Sequence, residues 1–389
     1  MITKVNILRE RFSKTRQHSE QICEPLEIED FVVQPIDFAS PPKWHLAHTT
    51  WFFEEFVLKN NKENYKLFDD NFAYLFNSYY ESVGDHWMRT DRGNLSRPSV
   101  SKIKEYRHHV TKAMEEFMQE EISTELQEII EIGINHEQQH QELLLTDIKY
   151  ILGNNPLFPI YDEKFEENPV QNFKTEWIDF EEGIYEIGLS PKSEGFRYDN
   201  EMGKHKVYLN DFSIANKLAT NREYLEFMED GGYEQVLLWH SDAWAWLEET
   251  QIKSPLYWYK IKDEWYQYTL AGLEKLNLEA PLSHISFYEA FAFAQWKGMR
   301  LPTEAEWEIT QDKFEWGTRW EYTGSAYLPY PNYQKPKGSI GEYNGKFMVN
   351  QKVVRGASVA TSEGHSRPTY RNFFHPDMRW QFFGIRLVK

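Results

Sequence analysis

The sequence predicts an α+β protein whose first part is helical and whose second part is rich in short strands. Residues 1–150 contain long runs with helical periodicity, such as Ile2–Glu24 and Val100–Glu131. From Trp177 onward, short alternating segments such as GIYEIGL are separated by turn residues, which is typical of strands. Residues 153–174 contain Pro, Gly and Asn but few periodic apolar positions, which indicates a linker. We therefore predict a helical domain at 1–150, a linker at 151–175 and an α+β domain at 176–389.

The helical part is predicted to form four antiparallel helices that bury their apolar stripes against one another. The first helix, Ile2–Glu24, is expected to stop at Pro25. Ser40 is expected to cap the second helix, with Pro41 and Pro42 in the first turn, where a missing N–H costs nothing. Two further helices are predicted among the strands of the second part, at Asn221–Met228 and Phe287–Lys297.

Composition and charge argue against several classes of function. The formal charge of the 389 residues is −18, whereas nucleic acid and anionic membranes attract clustered Lys and Arg, so neither is an expected partner. The 14 Trp, 23 Tyr and 26 Phe favour ring-lined pockets, which suit a small-molecule substrate. The one cysteine, Cys23, permits no intramolecular disulfide and no Cys-based metal cluster, which suits a reducing cytoplasm. We expect no signal peptide, because the N-terminal residues contain no apolar h-region, and no membrane span, because no window holds 18 consecutive apolar residues.

The motif with the clearest chemistry is His-Glu-Gln-Gln-His, in which His136 and His140 are four residues apart. Residues at i and i+4 share one helix face, so both imidazoles can reach one metal ion. The same letters match the zinc-protease pattern, in which Glu137 would be the general base. The polar residues around the motif argue against that reading, and a solvated helix face is the plain alternative. A third ligand would decide for a metal site, and His45 and His48 on the second helix are candidates.

The loop between residues 77 and 98 carries two adjacent tyrosines and three arginines, Arg89, Arg92 and Arg97. The planar fork of arginine suits the recognition of carboxylates. In an acidic protein, the same arginines could equally neutralise neighbouring acids. The residues of the loop alone therefore leave its role open.

Several strings of residues then coincide with one family. The second part resembles the formylglycine-generating enzymes, or sulfatase-modifying factors, which have a C-type-lectin-like fold; its matching strings begin at Thr220, Arg300, Trp320, Arg355 and Gly384. The first part looks like a DinB-like four-helix bundle. Together they resemble the ergothioneine-biosynthesis sulfoxide synthases, whose Leu-Ala-His and His-Glu-Gln-Gln-His strings occur here at 46–48 and 136–140. The closest branch has a Tyr-Tyr pair, here Tyr79 and Tyr80. The activity of the formylglycine-generating enzymes does not carry over, because their copper-binding cysteine pair is missing from this sequence.

The resemblance implies a non-haem iron(II) held by His48, His136 and His140. Neutral imidazoles suit Fe(II) and leave positions open for O2 and a thiol. The implied reaction uses O2 to join the sulfur of cysteine, or of γ-glutamylcysteine, to C2 of the imidazole of Nα-trimethylhistidine (hercynine), which gives a sulfoxide. His45 lies outside the Leu-Ala-His string, so we expect it to support a ligand from behind or to have a structural role, and not to bind the metal.

The resemblance also implies roles for other side chains. Tyr79 or Tyr80 would donate a proton or hydrogen atom during the oxygen chemistry, and Tyr330 and Tyr333 are lower-ranked alternatives in the second domain. The carboxylates of the thiol substrate would be bound by arginines, and trimethylhistidine would be bound by amides; these residues are Arg89, Arg92, Gln139 and Asn372. Phe374 stands where relatives that use γ-glutamylcysteine have an Asp, which favours free cysteine as the substrate.

Two other classes of function stay open at this point. A DinB-like thiol transferase or hydrolase would hold zinc at the same three histidines. A non-catalytic module would use the lectin-like domain to recognise a ligand. The second domain is also a candidate for a structural Ca²⁺.

Overall fold

The computed structural model describes residues 4–78, 80, 82, 84–337 and 343–389. The chain divides into two compact units, one formed by Met1–Asp162 with Thr361–His365 and the other by Glu163–Ala360 with Ser366–Lys389. The boundary after Asp162 falls within the segment 151–175 that the sequence indicates as a linker. No helix among the described residues combines the length and the apolar character that crossing a bilayer requires.

The first unit is helical. Its helices are α1 (Lys4–Cys23), α2 (Pro42–Phe53), α3 (Lys59–Asn61), α4 (Phe72–Phe76), α5 (Val100–Phe117) and α6 (Thr124–Gly153), with a π-helical turn (Glu54–Leu58) that joins α2 to α3. Helix α2 packs against both α5 and α6, and α1 packs against α6. All twelve residues of α2 are buried, as expected of a helix that is surrounded by others.

The start of α2 differs from the prediction. The N-cap residue is Pro41, with Pro42 as the first helical residue, and no side chain caps the helix. Ser40 is instead held from elsewhere: its backbone N–H donates to Asp147 Oδ2 at 2.8 Å, and its hydroxyl accepts from Arg92 at 2.9 Å. The prediction that Ser40 caps α2 is therefore wrong, because long-range partners take both of its polar groups.

The predicted run Val100–Glu131 is two helices. Helix α5 ends at Phe117, and Ser123 begins α6 by accepting a hydrogen bond from the backbone N–H of Leu126. A side-chain cap of this kind satisfies one of the free N–H groups at a helix start, which explains why a new helix begins there. The His-Glu-Gln-Gln-His motif lies near the middle of the 30-residue helix α6.

The second unit combines short strands and short helices. Its helices are α7 (Asn221–Glu229), α8 (Ser241–Thr250), α9 (Phe287–Trp296) and α10 (Glu304–Thr310). Its strands are β1 (Trp177–Phe180), β2 (Gly183–Ile187), β3 (His205–Leu209), β4 (Phe212–Ala215), β5 (Trp258–Ile261), β6 (Glu264–Thr269), β7 (Gly272–Lys275), β8 (Trp320–Ala326), β9 (Lys352–Gly356), β10 (Asn372–Phe374) and β11 (Phe383–Gly384). The α+β prediction is confirmed.

The described strands of the second unit form small sheets. The largest has the order β10-β9-β8-β11, in which only the β8–β11 pair is parallel. The strands β1–β4, β2–β3 and β5-β6-β7 form the others, all antiparallel. Reciprocal capping boxes start α7, α9 and α10, at Thr220, Ser286 and Thr303. Helices α8 and α10 were not among the predicted helices.

Candidate metal centre

The two helices that carry the histidines approach each other at a glycine. In α6, a Cβ atom at Gly133 would lie 2.6 Å from the Phe53 ring of α2, closer than any real contact allows. A larger residue would push the helices apart. Gly133 lies one turn before His136, so the contact brings the motif close to the histidines of α2.

Three histidines from these helices converge in the first unit. The ligand atoms of His48, His136 and His140 all lie within 4.8 Å of one another. The Nε2 atoms of His48 and His136 are 3.1 Å apart. Nitrogen ligands at about 2.1 Å from a metal ion are spaced by about 3 to 3.5 Å, so this pair already has the separation that a shared ion requires.

Burial keeps these imidazoles neutral. His48 is 0% exposed and His136 is 1% exposed. Burial lowers the pKa of His48 well below its usual value, and the nearby His136 lowers it further. Burial also lowers the pKa of His136 to about 3. A neutral imidazole is the form that binds metals, so at neutral pH no proton has to be displaced from these two rings.

The contacts around His48 fix which of its nitrogens can bind a metal. Its Nδ1 lies 2.6 Å from the Phe76 carbonyl oxygen, which can only accept, so Nδ1 carries the proton. Its Nε2, which faces His136, therefore keeps its lone pair. Trp44 stacks on the His48 ring, with ring centroids 4.5 Å apart and planes 13° apart. This arrangement of a donating second nitrogen and a packed ring is the usual environment of a histidine ligand, and the donor set fits a divalent metal.

Glu137, the glutamate of the motif, is on the other side of α6. Its Oε1 accepts from Arg107 at 2.6 Å and from Ser19 at 2.7 Å, and its Oε2 accepts from Arg16 at 2.9 Å. Burial opposes its charge, but the two arginines outweigh burial and lower the pKa of Glu137 to about 2. A carboxylate that is fully engaged and so weakly basic is a poor general base, which argues against the zinc-protease reading.

Arg92 is a buried guanidinium beside the histidines. It is 4% exposed, and its Cζ lies 3.3 Å from the centroid of the Trp44 ring that stacks on His48. Its Nη atoms donate to the hydroxyls of Ser40 and Ser78, each at 2.9 Å. Its Nε is buried without a hydrogen-bond partner, and within the described part of the chain it forms no ion pair. Arg89, by contrast, is exposed and donates to the Phe38 carbonyl.

Tyr80 is fully buried in an aromatic cluster next to His48. Its ring lies 5.8 Å from Trp51 and 5.2 Å from Phe56, and Trp51 in turn lies 5.7 Å from the His48 ring, all between centroids. Asn77 fixes the backbone of Tyr80 by accepting from its N–H at 3.1 Å and donating to its carbonyl at 3.0 Å. The other tyrosine of the pair, Tyr79, lies outside the described residues.

Gln139 is half-buried on α6, directly before His140. A short segment from late in the chain, Thr361–His365, belongs to the same unit and contacts the neighbouring turns of α6. There, Ser362 donates to Gln141 Oε1 at 2.6 Å, and Thr361 donates to Glu142. The second half of the motif helix is therefore held by residues that are more than 200 positions away in sequence.

The remaining predicted site residues belong to the second unit. Asn372 and Phe374 are on β10, where the Asn372 side chain accepts from the backbone N–H of Phe373 at 2.9 Å. The Phe374 ring contacts Trp380 and Phe383, at centroid distances of 5.6 and 5.0 Å. The two alternative tyrosines are held by acids: the Tyr330 hydroxyl donates to Glu304 at 3.2 Å and the Tyr333 hydroxyl to Asp199 at 2.7 Å.

Two features were not found by sequence reasoning. Asp147, on α6, lies 3.0 Å from His45 Nε2, and its position seven residues after His140 was the available signal. Arg16 and Arg107, which neutralise Glu137, have no local signature. Among the described residues, the three histidines are the one group of three or more His, Cys, Asp or Glu side chains that converge as metal ligands, so Ca²⁺ in the second domain gains no support.

Two family models match the chain. One is described as the DinB superfamily and matches residues 11–144; the other, a sulfatase-modifying factor enzyme 1-like domain, matches residues 161–319. The DinB match lies within the predicted helical domain at 1–150, whereas the second match begins inside the predicted linker at 151–175.

Several similar proteins are named hercynine oxygenase or ergothioneine biosynthesis protein. The hercynine oxygenase of Mycolicibacterium smegmatis is 28% identical over 256 residues, which is 53% of this chain and 59% of that protein. The hercynine oxygenase of Mycobacterium tuberculosis is 28% identical over 251 residues, 52% of this chain and 58% of that protein. Ergothioneine biosynthesis protein 1 of Schizosaccharomyces pombe is 26% identical over 231 residues, 50% of this chain and 28% of that protein. Each match covers less than two thirds of the relative. The combination of DinB and sulfatase-modifying-factor-like domains, together with the names of these relatives, fits the ergothioneine sulfoxide synthase family.

Proposed function

We propose that this chain is an iron(II)- and O2-dependent enzyme that joins the sulfur of a cysteine-type thiol to C2 of the imidazole of Nα-trimethylhistidine. The observation that carries the proposal is the convergence of His48, His136 and His140 in a chain of this family. The reaction balances with one O2. One oxygen atom goes to sulfur, the other leaves as water with the hydrogens of the S–H and the C2–H, and the four electrons come from forming the C–S bond and oxidising the sulfur.

The three histidines would hold the iron through neutral ring nitrogens. Three ligands leave coordination positions open, and the lowered pKa values of His48 and His136 keep the rings ready to bind at neutral pH. Bound iron(II) would supply the activation of O2, and the protein would supply binding and orientation of the two organic substrates.

Arg92 would bind a carboxylate of the thiol substrate. A buried charge without a counter-ion costs several kcal/mol, and an anionic ligand would remove that cost. Arg92 suits this role: its guanidinium is buried, donates to hydroxyls and stacks on the ring that packs against His48. Asp147 is near enough to favour its charge but forms no ion pair with it among the described residues. Arg89, three residues earlier, would supply a second cation.

Tyr80 would move a proton, or a hydrogen atom, during the oxygen chemistry. Its ring contacts Trp51, which in turn contacts the His48 ring, and this proximity supports the assignment. The backbone contacts with Asn77 hold it in place. Tyr79 is the alternative within the pair, and this choice assigns the chain to the Tyr-Tyr branch of the family.

Trimethylhistidine would contact amide side chains and aromatic faces. We assign Gln139 and Asn372 to hydrogen bonds with its polar groups. Its trimethylammonium group has no hydrogen to donate, so aromatic rings are the appropriate neighbours. Phe374 offers no acceptor for the ammonium of a γ-glutamyl group, so free cysteine should be used at least as well as γ-glutamylcysteine.

The test is an aerobic assay with Fe(II), trimethylhistidine and either cysteine or γ-glutamylcysteine, read by mass spectrometry and an oxygen electrode. We expect the mass of the coupled sulfoxide, with O2 consumption that requires both substrates. The His48→Ala variant should lose both signals. His108→Ala, an exposed histidine on α5, is the matched control and should retain them. Thiol transfer or hydrolysis without O2 consumption, supported by zinc, would contradict the proposal and favour the DinB-like transferase.

A further inference from the structure

The metal cluster has a second layer of polar side chains behind it. His45 lies one turn before His48 on α2, and Asp147 lies seven residues after His140 on α6. Both are almost fully buried, at 3% and 2% exposure. His45 Nδ1 lies 2.9 Å from His140 Nδ1, and His45 Nε2 lies 3.0 Å from Asp147 Oδ2. The three side chains therefore form a continuous chain of contacts from a buried carboxylate, through a buried imidazole, to the half-buried His140.

The direction of the hydrogen bonds follows from the carboxylate. An ionised Asp only accepts, so His45 Nε2 carries a proton and donates to Asp147. In a neutral imidazole the other nitrogen is then an acceptor, and His45 Nδ1 accepts from His140 Nδ1–H. His140 is left with its lone pair on Nε2. This is the same outcome that the Phe76 carbonyl produces for His48.

We propose that His45, held by Asp147, is a positioning residue that fixes the tautomer and the ring orientation of His140 for metal binding. The inference rests on the proposed metal site but concerns a residue outside the ligand set. A ligand histidine almost always donates its second N–H to a carboxylate or carbonyl. Here a second imidazole stands between the ligand and the carboxylate. Asp147 is itself fixed, because its Oδ2 also accepts from the backbone N–H of Ser40 at 2.8 Å.

The geometry also separates His45 from the ligands. Its Nδ1 faces the Nδ1 of His140, and its Nε2 faces Asp147, so both ring nitrogens are already used. It is absent from the group of side chains whose ligand atoms converge. Replacing it should weaken metal binding without removing the site, whereas replacing a ligand should abolish binding.

The first measurement is the affinity of the full chain for Zn²⁺, by anaerobic competition with a chromophoric chelator. His45→Phe keeps a ring of similar size and removes both nitrogens, and loss of such a supporting contact typically weakens affinity by about 10- to 100-fold. His45→Gln can donate to Asp147 and accept from His140, so it should recover most of the loss. His108→Phe on α5 is the matched control and should bind as the wild type does.

The second measurement is spectroscopic and needs no variant. Long-range ¹H–¹⁵N NMR spectra of the zinc-loaded wild type, with ¹⁵N-labelled histidine, report which ring nitrogen is protonated. We expect His140 with its proton on Nδ1 and His45 with its proton on Nε2. A purely structural role for His45 would not impose this pair of tautomers.

The outcomes are distinct. If the wild type binds no zinc, the proposed metal site is wrong and the inference fails with it. A wild type that binds one equivalent, together with His45→Phe of equal affinity, would overturn the inference and leave the metal site intact. If His45→Phe does not fold, the spectra of the wild type decide: a proton on Nε2 of His140 would contradict the proposal.

Discussion

The two sides of helix α6 treat buried polar groups in opposite ways. On one side, Glu137 is neutralised within the chain, with Arg16, Arg107 and Ser19 donating to its two oxygens. On the other side, His136 converges with His48 and His140, and Arg92 lies nearby without a carboxylate partner in the described part of the chain. Glu137 thus belongs to a closed network, in which buried charges are paired within the chain. The neighbouring residue of the motif, His136, belongs instead to the group of converging histidines.

We interpret this difference as one between groups that stabilise the fold and groups that are proposed to bind a ligand. A closed network of buried charges is costly to break, because removing one partner leaves the others buried and unpaired. The second unit follows the same rule, since Arg386 and Glu321 are both 0% exposed and paired at 2.6 Å. By contrast, Arg92 is buried and donates only to hydroxyls, which supports its proposed role in binding a carboxylate.

The largest expected effect is a loss of stability when the ion pairs of Glu137 with Arg16 and Arg107 are removed. Glu137→Gln keeps the shape of the side chain but leaves Arg16 and Arg107 without their shared counter-ion, which should cost about 3–5 kcal/mol in the free energy of unfolding. Urea denaturation measures it. Glu131→Gln, on the same helix and paired with the half-exposed Arg11, is the matched control and should cost less than about 1 kcal/mol. Equal costs for the two variants would show that Glu137 does not anchor the bundle.

The next largest effect is expected on the reaction rather than on stability, and it concerns Tyr80, near the three histidines. Tyr80→Phe removes one hydroxyl and keeps the ring against Trp51 and Phe56, so folding should change little. Proton transfer by a positioned side chain contributes about 100-fold or more, so sulfoxide formation should fall by at least that factor. Thiol oxidation to a sulfinic acid is the expected diversion. Wild-type sulfoxide yield in Tyr80→Phe, in Tyr79→Phe and in the double variant would contradict the assignment.

Arg92 and Arg16 are both buried arginines, and we expect the same substitution to affect catalysis at the first and stability at the second. Arg92→Met should reduce kcat/KM for the thiol by about 10- to 100-fold, mainly through KM, and should leave the free energy of unfolding within about 1 kcal/mol of the wild type. Arg16→Met should do the reverse and destabilise the fold, because it removes the arginine that donates to Glu137 Oε2 and leaves this buried carboxylate with only Arg107 as its arginine partner. Comparable destabilisation by both variants would mean that Arg92 is structural.

The smallest expected effect concerns the choice of thiol. Phe374 has aromatic neighbours and no polar group of its own, so Phe374→Asp should move the ratio of kcat/KM values toward γ-glutamylcysteine by about tenfold, or about 1.4 kcal/mol. The ratio is measured at saturating trimethylhistidine. A wild-type preference for γ-glutamylcysteine of more than about tenfold would show that another acceptor binds its ammonium.

Features that depend on neighbouring residues could be predicted from the sequence, whereas features that depend on contacts between distant residues could not. The pairing of His136 with His140 follows from helical spacing alone, and both the α+β class and the family follow from strings of adjacent residues. The prediction that Ser40 caps α2 was wrong because Asp147, 107 residues away, accepts a hydrogen bond from the backbone N–H of Ser40. The role of Glu137 could not be decided because Arg16 is 121 residues away in sequence. Hydrogen-bond partners at such separations leave no periodic signal.

The most direct test of the central claim is the iron content of the full chain after anaerobic reconstitution with Fe(II) and removal of excess metal. The wild type and the His108→Ala control should hold one equivalent. His48→Ala, His136→Ala and His140→Ala should each hold none, since two remaining imidazoles bind iron too weakly to survive desalting. A full equivalent retained by His48→Ala, together with its loss in His45→Ala, would show that the third ligand is His45 and would contradict the account.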